Sequence, residues 1–120
     1  PFESGVWKSH DNFFGGEPYG GRVVVSKDNQ AVWMMVYYGW VVEGMNTDSV
    51  YGVLRGALMR MPEEHPYRGP QEYNQGEFVY RNRWEGELDR FSGEEMIEQG
   101  GRLIYQANYR GGEVDKRRSV

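Results

Sequence analysis

Arg68 has the most specific chemistry to offer. It stands in the run Tyr67-Arg68-Gly69-Pro70, where Gly and Pro shape a tight loop around a planar fork of donors suited to a carboxylate or phosphate. Glu94 and Glu95 follow Gly93 in a strand-like stretch. Neighbours on a strand point to opposite faces, so one of the two carboxylates points inward. An inward carboxylate among aromatic rings attracts a cation through charge and cation–π contacts. The aromatic rings are Trp33, Tyr37, Tyr105 and Tyr109, which share one face of two stretches. The bland alternative is internal: an inward Glu bonded to an Arg or Tyr, and Arg68 tying its loop to an acidic group of the sheet. Both readings stand at this point.

Other chemistry is thin. His10-Asp11 and His65 are the only histidine sites, in separate segments, with no HxH or HExxH spacing; surface or hydrogen-bonded histidines are expected. No Gly-x-Ser-x-Gly and no phosphate-binding loop ending in GK[ST] is present. There is no cysteine, so disulfides, cysteine zinc sites and thiol nucleophiles are excluded. The expectation is a protein that is not an enzyme, with no catalytic residues, no metal and no cofactor.

Hairpins must position these residues. Val23-Val24-Val25 and Val32 to Tyr38 are β-branched and aromatic, with the turn cluster Ser26 to Gln30 between them. Met96-Ile97 and Leu103-Ile104-Tyr105 flank Gln99-Gly100-Gly101 in the same way. Glycine takes the positive φ that tight hairpin turns demand. Third strands are expected over Gly5–Phe14 and Glu77–Trp84, where Phe78, Tyr80, Asn82 and Trp84 alternate onto one face. Between the hairpins, Val50, Val53, Leu54, Ala57, Leu58 and Met61 form an apolar stripe on a helical period. Asn46-Thr47-Asp48 supplies cap candidates and Pro62 a stop, which predicts a helix over about 47–61. Gly52 and Gly56 weaken it unless packing holds it, and their spacing allows close backbone approach. Residues 62–76 read as an irregular loop.

The two hairpins match each other at a constant offset of 72. Tyr19 meets Phe91, Gly21 meets Gly93, Val25 meets Ile97, Trp33 meets Tyr105, Tyr37 meets Tyr109 and Gly39 meets Gly111. Upstream the match shifts by one, so that Phe13 meets Trp84. The expected fold is therefore α+β: an internally duplicated βββ–α–βββ unit, with copies over about 5–45 and 77–112. A curved antiparallel sheet, half-barrel or closed barrel would surround the central helix. The copies differ on one face. Val32, Met34, Val36 and Tyr38 in the first correspond to Ile104, Gln106, Asn108 and Arg110 in the second. Something must cover the apolar version: the helix, a second subunit or a ligand.

Composition bounds the rest. The 120 residues make one domain. Seventeen Gly is about twice the usual ~7%, and with 4 Trp, 9 Tyr and 5 Phe it points to hairpins and tight turns. The net charge of −4 argues against direct nucleic-acid binding. The basic run Lys116-Arg117-Arg118 reads as a solvated tail. No stretch spans a bilayer and no signal peptide is visible, so a cytoplasmic protein without membrane contact is expected.

The runs Asp11 to Gly21, Val32 to Gly39 with its Tyr-Tyr-Gly motif, Pro66-Tyr67-Arg68-Gly69-Pro70, Phe91 to Glu95 and Gly111-Gly112 resemble an uncharacterised bacterial domain family. Its members also stand behind Cro/C1-type helix-turn-helix regions of transcriptional regulators. The resemblance implies a sensor or oligomerisation module. It also implies a helix ahead of the first strand, and acidic residues just after the Tyr19-Gly20-Gly21 equivalent, where this chain has Arg22.

Two functions follow as expectations. The first is a non-enzymatic small-molecule-binding or regulatory domain for a cationic or aromatic ligand. Its pocket between helix and sheet would be lined by Trp33, Tyr37, Tyr105 and Tyr109 and anchored by Arg68 with Glu94 or Glu95. The second is a protein-interaction module, a homodimer that buries Val32, Met34, Val36 and Tyr38.

Overall fold

A computed structural model describes residues 2–4, 6–63 and 68–115. His65, Tyr67 and the basic run Lys116-Arg117-Arg118 lie outside the described residues.

Two hairpins form the middle of the molecule. β3 (Tyr19–Lys27) and β4 (Gln30–Val41) turn through Asp28 and Asn29, both at positive φ (53° and 65°). β7 (Arg90–Gln99) and β8 (Arg102–Glu113) turn through Gly100 and Gly101, at 58° and 81°. Two left-handed residues are what a two-residue hairpin needs to match the strand twist. β2 (Trp7–Gly15) and β6 (Phe78–Glu87) flank these hairpins. The short strands β1 (Phe2–Ser4) and β5 (Glu72–Gln75) lie outermost. All eight form one antiparallel sheet in the order β1-β2-β3-β4-β8-β7-β6-β5. Among the described residues, β1 and β5 stand at its two ends.

The expected α+β arrangement of two βββ units around a central helix is therefore corrected. The fold is mainly β, and the halves join directly through β4 and β8. The one helix among the described residues, α1 (Thr47–Leu58), is an addition to one face. The sequence reading missed β1 and β5 because three and four residues are too few to show alternation. β5 lies inside the expected irregular loop.

The offset of 72 describes the pairing inside this sheet. Tyr19 opposes Gly39 and Phe91 opposes Gly111; Val25 opposes Trp33 and Ile97 opposes Tyr105. A register irregularity falls after Val25 in one hairpin and after Ile97 in the other. Tyr37 opposes Tyr109 where the halves meet.

The helix begins at Asn46, whose side chain accepts from the Ser49 N–H at 3.0 Å. It ends at Leu58 rather than near 61. Its last turn tightens as the Arg60 N–H bonds to the Ala57 carbonyl at 2.9 Å. Val50, Val53, Leu54 and Ala57 are buried in the same core as Tyr80, Ile97 and Tyr105. Gly56 passes close to Tyr73, whose hydroxyl would lie 2.6 Å from an added Cβ, whereas Gly52 has no neighbour that near. No described helix is long and apolar enough to cross a membrane.

Candidate functional site

The inner face of the sheet holds a polar cluster built by five strands, β3, β4, β6, β7 and β8, and one loop. Glu95 of β7 is fully buried. The segment after the helix brings Arg68 onto it, with Nε 2.5 Å from the Glu95 carboxylate. The guanidinium also donates to the Tyr19 hydroxyl at 3.1 Å, and its carbon lies 4.9 Å from the Tyr37 ring centre. The Tyr80 hydroxyl donates to Glu95 and accepts from the Gly69 N–H at 3.1 Å. Tyr19 and Tyr105 share a hydroxyl–hydroxyl hydrogen bond. Asn82 donates to the Gly69 carbonyl at 2.9 Å and accepts from the Tyr109 hydroxyl at 2.6 Å.

Gly69 is required here for space. A Cβ would lie 2.6 Å from the Tyr80 hydroxyl and 2.8 Å from its ring. The loop thus lies flat on Tyr80 while Arg68 reaches inward. Burying two charges is costly unless they pair and their remaining hydrogen-bonding capacity is met. Tyr19 and Tyr80 supply those bonds.

Burial sets the protonation pattern. It lifts the Glu95 carboxyl above the ordinary carboxylate range, against the opposing pull of Arg68 and the Tyr80 hydroxyl. Burial alone would lower Arg68, but Glu95 beside it overrides this and holds its proton more firmly than usual. Tyr19, Tyr80 and Tyr105 are all raised by burial; Glu95 adds to the rise in each. Tyr37 is raised by burial and by its 2.8 Å hydrogen bond to Asp11. The tyrosines are therefore neutral donors. The cluster is an ion pair inside a phenol cage, filled by the chain's own side chains.

The sequence-predicted ligand residues divide. Tyr37, Arg68, Glu95 and Tyr105 meet in the cage, and Tyr109 joins it through Asn82. Trp33 lies apart: its indole donates to the Leu88 carbonyl at 3.0 Å and stacks on Phe91 at 5.7 Å. Glu94 faces the other side of the sheet, in register between Asn108 of β8 and Arg83 of β6. Sequence reasoning missed Tyr19 and Tyr80 as partners of the charged pair. Alternation places Tyr80 on the inner face, but nothing in its spacing ties it to Arg68. Among the described residues, no three His, Cys, Asp or Glu stand close enough to hold a metal. His10 is exposed and bonded to Asn12 at 3.0 Å.

The outer face is different. α1 packs on the inner side, so among the described residues no helix covers the apolar residues of β4 on the outside. Val32 and Met34 are half-buried, while Val36 and Tyr38 are 41% and 53% exposed. An open groove of about 920 Å³ crosses this face over β4, β8, β7 and β6, with Val36, Tyr38, Arg83, Glu94, Asn108 and Arg110 in its lining. A second, shallower hollow adjoins Tyr38 on the other side, beside Phe14 and Arg22.

No curated protein and no solved structure matches this chain. A family model described as a domain of unknown function (DUF5680) matches residues 11–114. That span runs from within β2 to just beyond β8 and takes in the cage and the outer groove. The chain belongs to the DUF5680 family, a domain of unknown function.

Proposed function

We propose that this domain is a non-enzymatic protein-interaction module that works as a homodimer through the outer face of β4. The observation that carries the reading is the exposure of Val36 and Tyr38 on the face opposite the helix. They follow half-buried Met34 along β4, and the corresponding positions of the other half are the polar Gln106, Asn108 and Arg110. Contiguous apolar surface of this kind marks an interface in soluble proteins. A specific pair would bury roughly 1,200 Å² or more in total.

Light scattering across a concentration series tests it. The wild-type chain is expected to shift from monomer to dimer mass, and Met34→Glu and Tyr38→Glu to remain monomeric while keeping the native circular dichroism. A wild-type monomer throughout, or a dimer indifferent to both substitutions, sinks the reading.

A second reading, a small-molecule regulatory domain, rests on the outer groove rather than the inner face. Arg68 already occupies the Glu95 carboxylate, whereas Glu94 lines the groove, opposite Arg83 and separated by one strand from Tyr38. A thermal-shift screen with cationic and aromatic compounds, repeated on Glu94→Gln, separates this from the dimer.

A further inference from the structure

The polar half of the outer groove carries charges that do not pair with each other. Glu94 of β7 lies directly opposite Arg83 of β6 on one side and Asn108 of β8 on the other. Arg110, two residues beyond Asn108, is the diagonal neighbour of Glu94 and opposes Ser92. Direct cross-strand neighbours sit about 5 Å apart and diagonal ones about 7–8 Å, so side chains of this length can meet. Yet among the described residues none of Arg83, Glu94 and Arg110 is in an ion pair. Elsewhere the sheet does pair its charges. Arg81, two residues before Arg83 on the same strand, holds both Glu72 and Glu98, and Arg68 holds Glu95 on the inner face.

The other wall of the groove is apolar. Val36 and Tyr38 of β4 oppose Arg110 and Asn108 across the seam between the halves. Neighbouring strands lie about 4.8 Å apart. Crossing the groove from β4, a ligand therefore meets a ring, then a guanidinium with an amide beside it, then a carboxylate, one strand spacing at a time. A lone cation drawn to Glu94 is opposed by two guanidinium groups, and a lone anion drawn to Arg110 is opposed by Glu94. A molecule that carries both charges close together satisfies both groups.

We propose that the outer groove binds a zwitterionic α-amino acid with an aromatic side chain. Its carboxylate would take the planar fork of Arg110, its ammonium the Glu94 carboxylate, and its ring the apolar wall of Val36 and Tyr38. The two charges of such a molecule share one carbon, which suits the diagonal placement of Glu94 and Arg110. Its ring stands about one strand spacing from that carbon. This inference rests on the groove reading above and names the class of its ligand. A second copy on β4 would compete for Val36 and Tyr38, so binding is read on dilute protein, below the concentration at which light scattering detects a dimer.

Amide chemical-shift titration of the isotope-labelled chain tests it with three compounds: L-phenylalanine, phenylpropionate, which lacks the ammonium, and phenethylamine, which lacks the carboxylate. Phenylalanine is expected to shift the amides of Tyr38, Asn108 and Glu94. It should bind about fivefold tighter than either truncated compound, the upper range for one exposed ion pair. Glu94→Gln should lower phenylalanine to the affinity of phenylpropionate without weakening phenylpropionate. Arg110→Gln should lower it to the affinity of phenethylamine without weakening phenethylamine. Neither side chain is in the core, and unshifted amides elsewhere report an intact fold. Equal affinities for the three compounds, or a preference that survives both substitutions, overturns the amino-acid proposal and leaves the groove reading standing. No shift at the groove from any of the three overturns both.

Discussion

Arg68 and Glu95 show how far single residues can be read. Each stands out in the sequence by type and setting, and the sequence alone supports both a ligand anchor and an internal tie. Nothing in spacing links a loop residue to a strand residue of the next hairpin, so their meeting appears only in three dimensions. The geometry makes them each other's partner. Removing one then strands the other in the core. Arg68→Ala is expected to cost about 3–5 kcal/mol in chemical denaturation, as for other broken buried pairs. The exposed pair Arg81–Glu98 offers the contrast. Arg81→Ala should cost about 1 kcal/mol or less, because water already screens that contact. Replacing both buried partners, Arg68→Met with Glu95→Leu, should recover much of the loss, since neither charge is then stranded. Equal costs for Arg68→Ala and Arg81→Ala would mean that the cage is wet.

At the scale of elements, one inner row of the sheet reads Phe13, Gly21, Tyr37, Tyr109, Gly93, Trp84 across six strands. Each glycine lies opposite a tyrosine whose ring occupies the space of a side chain. An added Cβ at Gly21 would overlap the Tyr37 hydroxyl, and one at Gly93 the Tyr109 ring. The offset matching of Gly21 with Gly93 and Tyr37 with Tyr109 thus has a packing cause. Gly93→Ala is expected to destabilise by about 1–3 kcal/mol, the usual cost of overpacking. Gly52→Ala should act in the opposite direction. Its nearest neighbour would be Arg55 at 3.8 Å, and alanine is worth up to about 1 kcal/mol more than glycine inside a helix. Thermal melts of the two variants should therefore fall on either side of wild type; the same order for both would refute the packing account. Periodicity found six strands and the helix. It missed the two short outer strands, and it extended the helix past its tightened last turn.

The whole molecule is sensitive to alkali for a reason spread over its core. Tyr19, Tyr80 and Tyr105 are buried and raised above the ordinary tyrosine pKa of 10.0. The folded state keeps these protons while the unfolded chain loses them above pH 10. Stability is therefore intact below pH 10 and falls as pH rises toward the folded values. Each such tyrosine contributes a loss of about 1.4 kcal/mol per pH unit. Denaturation midpoints should fall steeply above pH 10, with the phenolate absorbance of these rings appearing only as the chain unfolds. Full tyrosine titration in a still-folded protein would contradict the cage. The central seam also governs the order of assembly. β4 and β8 pair residues such as Tyr37 and Tyr109, far apart in the chain, while each hairpin closes over two residues. Hairpins form in microseconds, and long-range strand pairing is the slow step. During synthesis β4 emerges well before β8. Its inner edge stays unsatisfied while the helix and most of the second half are made, so a ribosome-bound first half is the species most in need of a chaperone.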